Sequence, residues 1–453
     1  MSNTPDLEKE ECDGDPVVLR RRSDSISAES VHTQNPAPAL ASQSLQPVES
    51  QDPFIPPDGG LVAWSQLIPG IVANALSWGY GAAFGVYQLH YKQTTDWSSS
   101  QISWIGSIQT FLVFFVCGLS GRLTDAGFVR STTVVGVVLA AFGTFMTSLA
   151  TQYWHFILAQ GICTGVGLGL LFMPAVTVLS TYFRRKRAFL LALAATGTSL
   201  GGIVFPATVQ YLIPTIGFAW AVRVQGFIVL GIGAVSITML RPRLQPRKAG
   251  PFMEFAAFKE LPYVLYACGA FFFFWGLYFG FFYINTYART VIGFETTSSI
   301  QLLLITNAMG IPARVFSGYV ADYVIGPMNT YIVGGAIVGS MIFAWMGVHD
   351  RTGIYVYSAF YGFAVGAAQG VFIGSLASLT TNARKLGTRV GMVITIGAFA
   401  SLAGAPTAGA IIDQDGGRYR YAQVWGGLVF LTASMLIAAA RFVRTGFKLF
   451  IKI

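Results

Sequence analysis

Charged residues are scarce in this sequence. Only 11% of its 453 residues are Asp, Glu, Lys or Arg, whereas roughly a quarter are charged in a soluble globular protein. A soluble chain of this length would fold into several domains, and so few charges could not cover their surfaces. The scarcity excludes soluble enzymes, collagen-like chains and disordered chains. Together with the 53% of residues that are hydrophobic, it indicates an integral membrane protein.

Cysteine and histidine are also rare, and the usual catalytic motifs are missing. Cys12, Cys117, Cys163 and Cys268 lack the spacing of a disulfide framework or a metal site. The sequence has no Walker loop, which excludes an ATP-driven pump and leaves a gradient as the energy source. Residues 197–201 (Gly-Thr-Ser-Leu-Gly) match a hydrolase motif, but they lie in an apolar helix without a partner histidine. We therefore predict a protein that is not an enzyme and that has no cofactor and no metal.

Long apolar runs fill the sequence from residue 59 onward. A helix needs about 20 apolar residues to cross the hydrocarbon core of a membrane, and the sequence contains twelve such runs. They cover residues 61–89, 102–121, 131–150, 154–180, 188–212, 218–240, 261–288, 300–321, 329–348, 353–379, 389–412 and 422–441. Only short loops remain between them, so we predict an all-α integral membrane protein with twelve transmembrane helices.

Basic residues are concentrated in one set of loops. Fourteen lie in or beside the loops that follow even-numbered runs, and five lie in the alternate loops. Basic loops stay in the cytoplasm, so the rule places both termini there. We expect the plasma membrane, with a vacuolar or other organelle membrane as the alternative. The same topology accounts for the pI of about 9.4, so we expect the lipid bilayer and no nucleic acid as a partner.

The first 57 residues differ from the rest in composition. Residues 1–58 hold eleven acidic and four basic residues and no apolar run that could serve as a signal peptide. Such a segment buries too little apolar surface to fold, so we predict a disordered cytoplasmic tail. Its residues 20–25 (Arg-Arg-Arg-Ser-Asp-Ser) are either a phosphorylation site or part of an unregulated tail.

Three features recur in the second half of the chain. Residues 121–125 (Gly-Arg-Leu-Thr-Asp) match residues 318–322 (Gly-Tyr-Val-Ala-Asp) at an offset of 197. Three glycines spaced by four in run four recur at an offset of 201, and five residues around run five recur at an offset of 200. The three matches occur in the same order in both halves. They indicate two parallel, pseudo-symmetric six-helix bundles, the arrangement of alternating-access transporters. The predicted divisions are a tail (1–57), an amino-terminal bundle (58–240), a central loop (241–260), a carboxy-terminal bundle (261–441) and a cytoplasmic tail (442–453).

Polar side chains at bilayer depth are few, and they mark the predicted solute site. Ionisable residues there are costly and usually functional. Arg314 lies too deep in run eight to reach either interface, and its own helix offers no nearby carboxylate. Its partner is therefore on another helix or is the solute itself. An anionic solute would fit this position. Asn307, Asn74, Gln109 and Tyr361 complete the predicted set, although each could instead bridge helices.

Three segments resemble signatures of the major facilitator superfamily, and specifically of its monocarboxylate-transporter branch in its fungal form. They are residues 57–64 (Pro-Asp-Gly-Gly-Leu-Val-Ala-Trp), residues 182–202, which begin Tyr-Phe-Arg-Arg-Lys-Arg-Ala, and residues 404–409. The resemblance covers about residues 56–441 and implies the fold of that superfamily. The residues that we assign to family motifs or gating are Asp58, Gly59, Gly60, Trp64, Gly121, Asp125, Arg130, Tyr182, Phe183, Arg187, Gly318 and Asp322. We expect Asp125 and Asp322 to lock the two halves together on the cytoplasmic side.

The sequence departs from animal members of that branch at the positions that carry their coupling. Animal lactate–proton symporters have an aspartate where this chain has Gly310, and a first-helix lysine where it has Ala82. The loss of this pair and the aromatic-rich apolar spans favour efflux of a secondary metabolite or an organic anion by alternating access. The alternatives are uptake of a monocarboxylate or vitamin with a proton as the coupling ion, and a membrane receptor that transports nothing.

Overall fold

The computed structural model describes residues 58–97, 99–243, 254–380 and 385–446. The predicted amino-terminal tail (1–57) lies outside these ranges, as do residues 447–453 of the predicted carboxy-terminal tail and half of the central loop. Every regular element in the described ranges is helical, and no strand occurs in them. The all-α class predicted from composition is confirmed.

The helices follow one another through short connections. They are α1 (Leu61–Thr94), α2 (Ser99–Asp125), α3 (Val129–Thr147), α4 (Tyr153–Tyr182), α5 and α6 (together Arg187–Met239), α7 (Leu261–Thr290), α8 (Thr296–Tyr319), α9 (Pro327–Trp345), α10 (Arg351–Leu379), α11 (Leu386–Gln414) and α12 (Arg420–Thr445). A 3₁₀ turn at Phe255–Lys259 precedes α7. Each helix overlaps one predicted run, and their ends differ by at most five residues.

The division between α5 and α6 depends on one glycine. Gly217 has a φ of 78° and a ψ of 164°, which are not helical values. A positive φ is a conformation that glycine adopts without steric cost. The 53-residue helical stretch therefore consists of two helices, residues 187–216 and 218–239. Ten helices in the described ranges meet the length and hydropathy of a membrane span, with this stretch counted once. With that stretch divided and α8 included, the described ranges contain twelve long helices.

Two helices that border the central cavity are irregular within their length, and a third, α8, continues into a π-helical segment (Val320–Ile325). In α1, a π-helical turn (Ala75–Gly79) and a 3₁₀ turn (Tyr80–Ala83) interrupt the α-helix. In α4, a π-helical segment (Ile157–Thr164) precedes the regular part. π-Helical turns occur frequently at functional sites. The turn in α1 carries Trp78, which faces the cavity described below.

The first six helices pack among themselves, as do the last six, and the two sets meet along two main seams. One seam joins α2 to α11, and the other joins α5 to α8 and α10. Glycines line both seams and allow close approach of the helix backbones, as is usual where membrane helices pack. The loops α2–α3, α4–α5, α6–α7, α8–α9 and α10–α11 lie at one end of the molecule, which we call the basic end. The other loops lie at the opposite end.

Candidate solute-binding cavity and the closed basic end

A cavity of about 590 Å³ lies between the two sets of helices. Eight helices line it, namely α1, α2, α4, α5, α7, α8, α10 and α11. At the opposite end it reaches Lys92 and Arg289, whose side chains are exposed. Toward the basic end it stops at Leu191, Ile373 and Ile394. The cavity is therefore accessible from the opposite end and closed at the basic end.

Aromatic rings form a continuous wall of this cavity. Trp78 contacts Phe114 and Phe172, with ring centroids 4.5 and 5.1 Å apart. Phe114 contacts Phe274 at 5.1 Å, and Phe274 contacts Phe372 at 5.3 Å. All four contacts are edge-to-face, a favourable geometry for aromatic pairs. The wall crosses from the first six helices to the last six, so an apolar solute would contact both halves at once.

Arg314 is the buried cation of the cavity. Only 3% of its surface is exposed, and it lines the cavity wall from α8. Its Nη1 donates to Ser199 Oγ at 2.7 Å and to the Gly310 carbonyl oxygen at 3.1 Å, and its Nη2 donates to Gln369 Oε1 at 2.6 Å. All three acceptors are neutral. No carboxylate of the described residues forms an ion pair with Arg314, and its Nε has no hydrogen-bond partner among them.

At the basic end, Asp125 joins α2 to the start of α11. One carboxylate oxygen accepts hydrogen bonds from the backbone N–H of Thr388 at 2.8 Å and from its hydroxyl at 2.6 Å. A helix amino terminus carries unpaired N–H groups and a partial positive charge, so a carboxylate is stabilised there. Beside it, Gly121 lies directly against the carbonyl of Gly387. This carboxylate therefore links the two sets of helices.

Asp322 makes the equivalent connection in the second repeat. Its two oxygens accept from the backbone N–H groups of Ala188 at 3.2 Å and Phe189 at 2.7 Å, in the first turn of α5. Burial raises the pKa of the Asp322 carboxyl above its ordinary value, although the two N–H groups and the nearby Arg187 act to lower it. Gly318 packs against Phe189 and Ala192 in the same seam. The repeat found in the sequence thus produces two carboxylates that cross between the halves.

A family comparison identifies the fold that holds this cavity. The model of the Major Facilitator Superfamily matches residues 70–405, well over half of the sequence. The chain belongs to the major facilitator superfamily. The members of this superfamily are transporters that cross the membrane several times, and the helices of this transporter fit that description.

Curated relatives cover nearly the whole transporter. An MFS-type transporter of Gibberella zeae is 38% identical over 90% of this chain and 92% of its own length. The aspyridones efflux protein apdF of Emericella nidulans is 35% identical over 86% of this chain and 80% of its own. The fujikurins efflux protein of Gibberella fujikuroi is 30% identical over 91% and 89%. Among solved structures, the transporter FucP in the outward conformation has a TM-score of 0.64 at 16% identity, covering 83% of this chain and 99% of its own.

Four of the five predicted solute-binding residues line the cavity. They are Arg314, Asn307, Asn74 and Gln109. The amides of Asn307 and Asn74 each donate to a carbonyl of their own helix, at 2.9 and 2.8 Å. The Oδ1 of Asn74 accepts from the Thr198 hydroxyl at 3.5 Å. The Nε2 of Gln109 is buried and has no hydrogen-bond partner among the described residues. These amides place hydrogen-bond donors and acceptors beside the apolar wall.

Tyr361 does not line the cavity, so we remove it from the proposed solute-binding set. Its ring is fully buried and stacks on Tyr357 with centroids 5.7 Å apart. Its hydroxyl packs against Gly280, where an added Cβ would lie 2.0 Å away. The next residue, Gly362, is the one that faces the cavity. One residue along a helix turns the side-chain direction by about 100°, which explains the difference.

Four further residues belong to the site, of which only Gln369 was expected from the sequence, as a polar residue that either bridges helices or lines a cavity. Ser199 and Gln369 accept hydrogen bonds from Arg314, and Lys92 and Arg289 lie at the cavity mouth. Ser199 belongs to the hydrolase-like motif, and the two mouth residues contribute to the loop charges used for topology. Their placement depends on how helices far apart in sequence pack, and no local pattern reports that packing.

The first two family signatures contact each other at the basic end. The Asp58 carboxylate accepts from the backbone N–H groups of Arg184 and Arg185, the second at 3.0 Å. The Asp58 N–H donates to the Tyr182 carbonyl at 3.1 Å, and Trp64 contacts Phe183 with ring centroids 5.8 Å apart. The signature around Asp58 therefore holds the α4–α5 loop.

The remaining motif residues lie around this contact. The Tyr182 hydroxyl donates to the Arg241 carbonyl at 2.9 Å, and Arg130 Nε donates to the Leu240 carbonyl at 3.4 Å. Arg187 Nε donates to the Phe183 carbonyl at 3.4 Å. Gly59 has open space on its Cβ side, as does Gly60, whose φ of 91° suits glycine. These bonds tie the ends of α3, α4 and α6 together at the basic end.

We expect Asp58→Ala to destabilise the transporter. The substitution removes an acceptor for two backbone N–H groups and places alanine at a φ of 50°, so we expect a loss of about 1–2 kcal/mol in the free energy of unfolding. Thermal unfolding of the protein in detergent measures the change. The control is Asp58→Asn, which keeps an acceptor oxygen and tolerates the positive φ. Equal stability of wild type and Asp58→Ala would contradict a capping role.

Proposed function

We propose that this transporter exports a small organic anion with an apolar, aromatic-compatible body by alternating access. The observation that carries the proposal is the buried guanidinium of Arg314, which lines the cavity and has only neutral partners there. A buried charge without a counter-charge is costly in a membrane protein. An anionic solute would supply that charge, and the aromatic wall would contact its apolar part.

The charge of the cavity supports an anion. Arg314 lies deep, Lys92 and Arg289 lie at the mouth, and no Asp, Glu or His is among the described residues that line the cavity. Clefts lined by charge of one sign raise the local concentration of the opposite ion. The same composition disfavours proton-coupled uptake, because no titratable carboxylate or imidazole of the lining faces the solute. The cavity of about 590 Å³ falls in the usual range of small-molecule sites.

Efflux and membrane orientation are supported by two further observations. The relatives named above include the aspyridones and fujikurins efflux proteins, and the interlocked Asp58 and Tyr182 signatures favour the monocarboxylate-transporter branch. The basic end is assigned to the cytoplasm, since basic loops stay there, and the plasma membrane is the assigned location. On that assignment the cavity of this structure faces the exterior, and Asp125 and Asp322 hold the cytoplasmic side closed.

Flux measurements on purified protein in liposomes test the proposal. The probes are salicylate, 1-naphthoate and naphthalene-1-sulfonate, three aromatic anions of which the last stays charged at any accessible pH. We expect saturable flux of at least one probe down its own gradient, unaffected by dissipating a pH gradient. Naphthalene-1-sulfonamide, the neutral analogue, should compete poorly. Absence of saturable flux for all three anions would overturn an anionic solute, and flux that requires a pH gradient would favour proton-coupled uptake.

A further inference from the structure

The hydrogen bond between Arg314 and Ser199 crosses the boundary between the two sets of helices. Arg314 lies on α8 and Ser199 on α5, and the Nη1–Oγ distance is 2.7 Å. A Cβ added to Gly310 would lie 2.5 Å from both of these atoms. The three groups therefore meet at one crowded point, where the absence of a side chain at Gly310 leaves room for the guanidinium and the hydroxyl.

The backbone around Ser199 is held in place by its neighbours. Gly197 lies against the carbonyl of Ile71, and an added Cβ on Gly201 would lie 2.4 Å from the carbonyl oxygen of Ala75. Both carbonyls belong to α1, so α5 packs on α1 at backbone distance. Ser199 itself is 1% exposed. The Gly-x-Ser-x-Gly motif thus fixes a buried hydroxyl, with glycines toward α1 and the serine toward α8.

A carrier that completes a cycle of net transport must return without solute. During the return its cavity is closed at both ends, and water no longer solvates the guanidinium. Hydrogen bonds to a charged donor are worth more than neutral ones, and a buried charged donor left without a partner is costly. Only protein acceptors are then present, and of the three that Arg314 uses, Ser199 is the one supplied by the other half.

We propose that Ser199 is the internal acceptor that allows the unloaded transporter to return, so that it carries out net transport and not only exchange. The inference rests on the proposed function, in which the solute is an anion that neutralises Arg314. When the transporter changes conformation with solute bound, the anion provides the compensating charge, and the hydrogen bond to Ser199 contributes less. During the return without solute, the Ser199 hydroxyl accepts the hydrogen bond from Arg314 Nη1 across the boundary between the two sets of helices.

The test compares two kinds of flux in liposomes with Ser199→Ala, using naphthalene-1-sulfonate as the probe. Net efflux into probe-free buffer requires the unloaded return, whereas exchange of labelled for unlabelled probe does not. We expect net efflux to fall about tenfold, since a bond to a charged donor is lost, and exchange to stay within about twofold of wild type. Ser199→Thr keeps a hydroxyl and should restore net efflux. Ser434→Ala, which removes a buried hydroxyl bonded within α12, should change neither flux.

A second measurement needs no solute. Spin labels at Phe128 and Tyr323, both exposed at the basic end, report the distance between the α2–α3 and α8–α9 connections. In the unloaded protein, Ser199→Ala should lengthen this distance in a larger fraction of molecules, because the basic-end-closed state loses a bond between halves. Ser199→Thr should reverse the change. An unchanged distance distribution, or equal losses of net efflux and exchange, would overturn the role of Ser199. Lack of any wild-type flux would instead count against the proposed function.

Discussion

We expect Arg314→Ala to abolish transport while the protein still folds and reaches the membrane. Truncating one partner of a buried, hydrogen-bonded charge pair costs about 2–5 kcal/mol, which corresponds to a loss of about 30-fold or more in transport of an anion at limiting concentration. Folding is affected less, because the change leaves neutral acceptors beside a cavity that is open at one end. Flux of the aromatic anions into liposomes measures the loss, and size-exclusion chromatography checks the fold.

Two variants make this result specific to the cavity. Arg314→Lys keeps the charge, but an ammonium lacks the planar fork that contacts Ser199 and Gln369 together, so we expect partial activity. Arg223→Ala removes another arginine within the spans, one that contacts the Ser148 hydroxyl at 3.2 Å and the Trp220 ring away from the cavity. Its flux should match wild type. Normal flux in Arg314→Ala would remove Arg314 from the solute site.

The membrane spans were predictable because their signal is local. A run of about 20 apolar residues between polar loops has few interpretations other than a spanning helix. Each of the twelve runs matches a helix, including the pair divided at Gly217. The ends were less certain, since a helix continues past its apolar core wherever polar residues still form helical hydrogen bonds. In α1 the helix extends to Thr94, five residues beyond the predicted run.

The candidate solute site was predictable only in part, because its geometry depends on contacts between distant helices. Arg314 stands out in sequence as a charge within an apolar run. Ser199 does not, since a serine in a membrane helix is common and its partner is 115 residues away. Tyr361 was misplaced because aromatic residues are frequent on every face of α10. The sequence thus identifies the unusual charge, and only the packing identifies what surrounds it.

The central loop and α11 form a further contact that the loop charges alone did not reveal. Glu254, just before α7, pairs with Lys385 and with Arg389 Nε at 3.2 Å, and Glu260 contacts Arg389 Nη1 at 3.0 Å. Burial raises the pKa of the Glu254 carboxyl, but the hydrogen bonds from Lys385 and Arg389 outweigh it, and the pKa lies below its ordinary value. The start of α11 is therefore held from its own half by these glutamates and from the other half by Asp125.

Gly121→Val is expected to open the basic end and stop transport without unfolding the protein. An added Cβ at Gly121 would lie 2.3 Å from the Gly387 carbonyl oxygen, a backbone atom that no side-chain rotation can move. Overpacking of this kind costs about 1–3 kcal/mol. Because the crowding exists only where α2 and α11 are closed, it shifts the population toward the open form by about fivefold to 150-fold. Spin labels at Phe128 and Tyr323 should then report longer distances.

Two other glycines separate this effect from general damage. Gly231→Val adds the same side chain where no atom lies within 4 Å, so neither flux nor distances should change. Gly197→Val crowds the Ile71 carbonyl within one half, so it should lower the unfolding temperature without opening the basic end. If Gly121→Val also lowers the unfolding temperature with unchanged distances, the α2–α11 seam is part of a static core. Longer distances at an unchanged unfolding temperature require that the seam opens during transport, and Asp125 must then release α11 in every cycle.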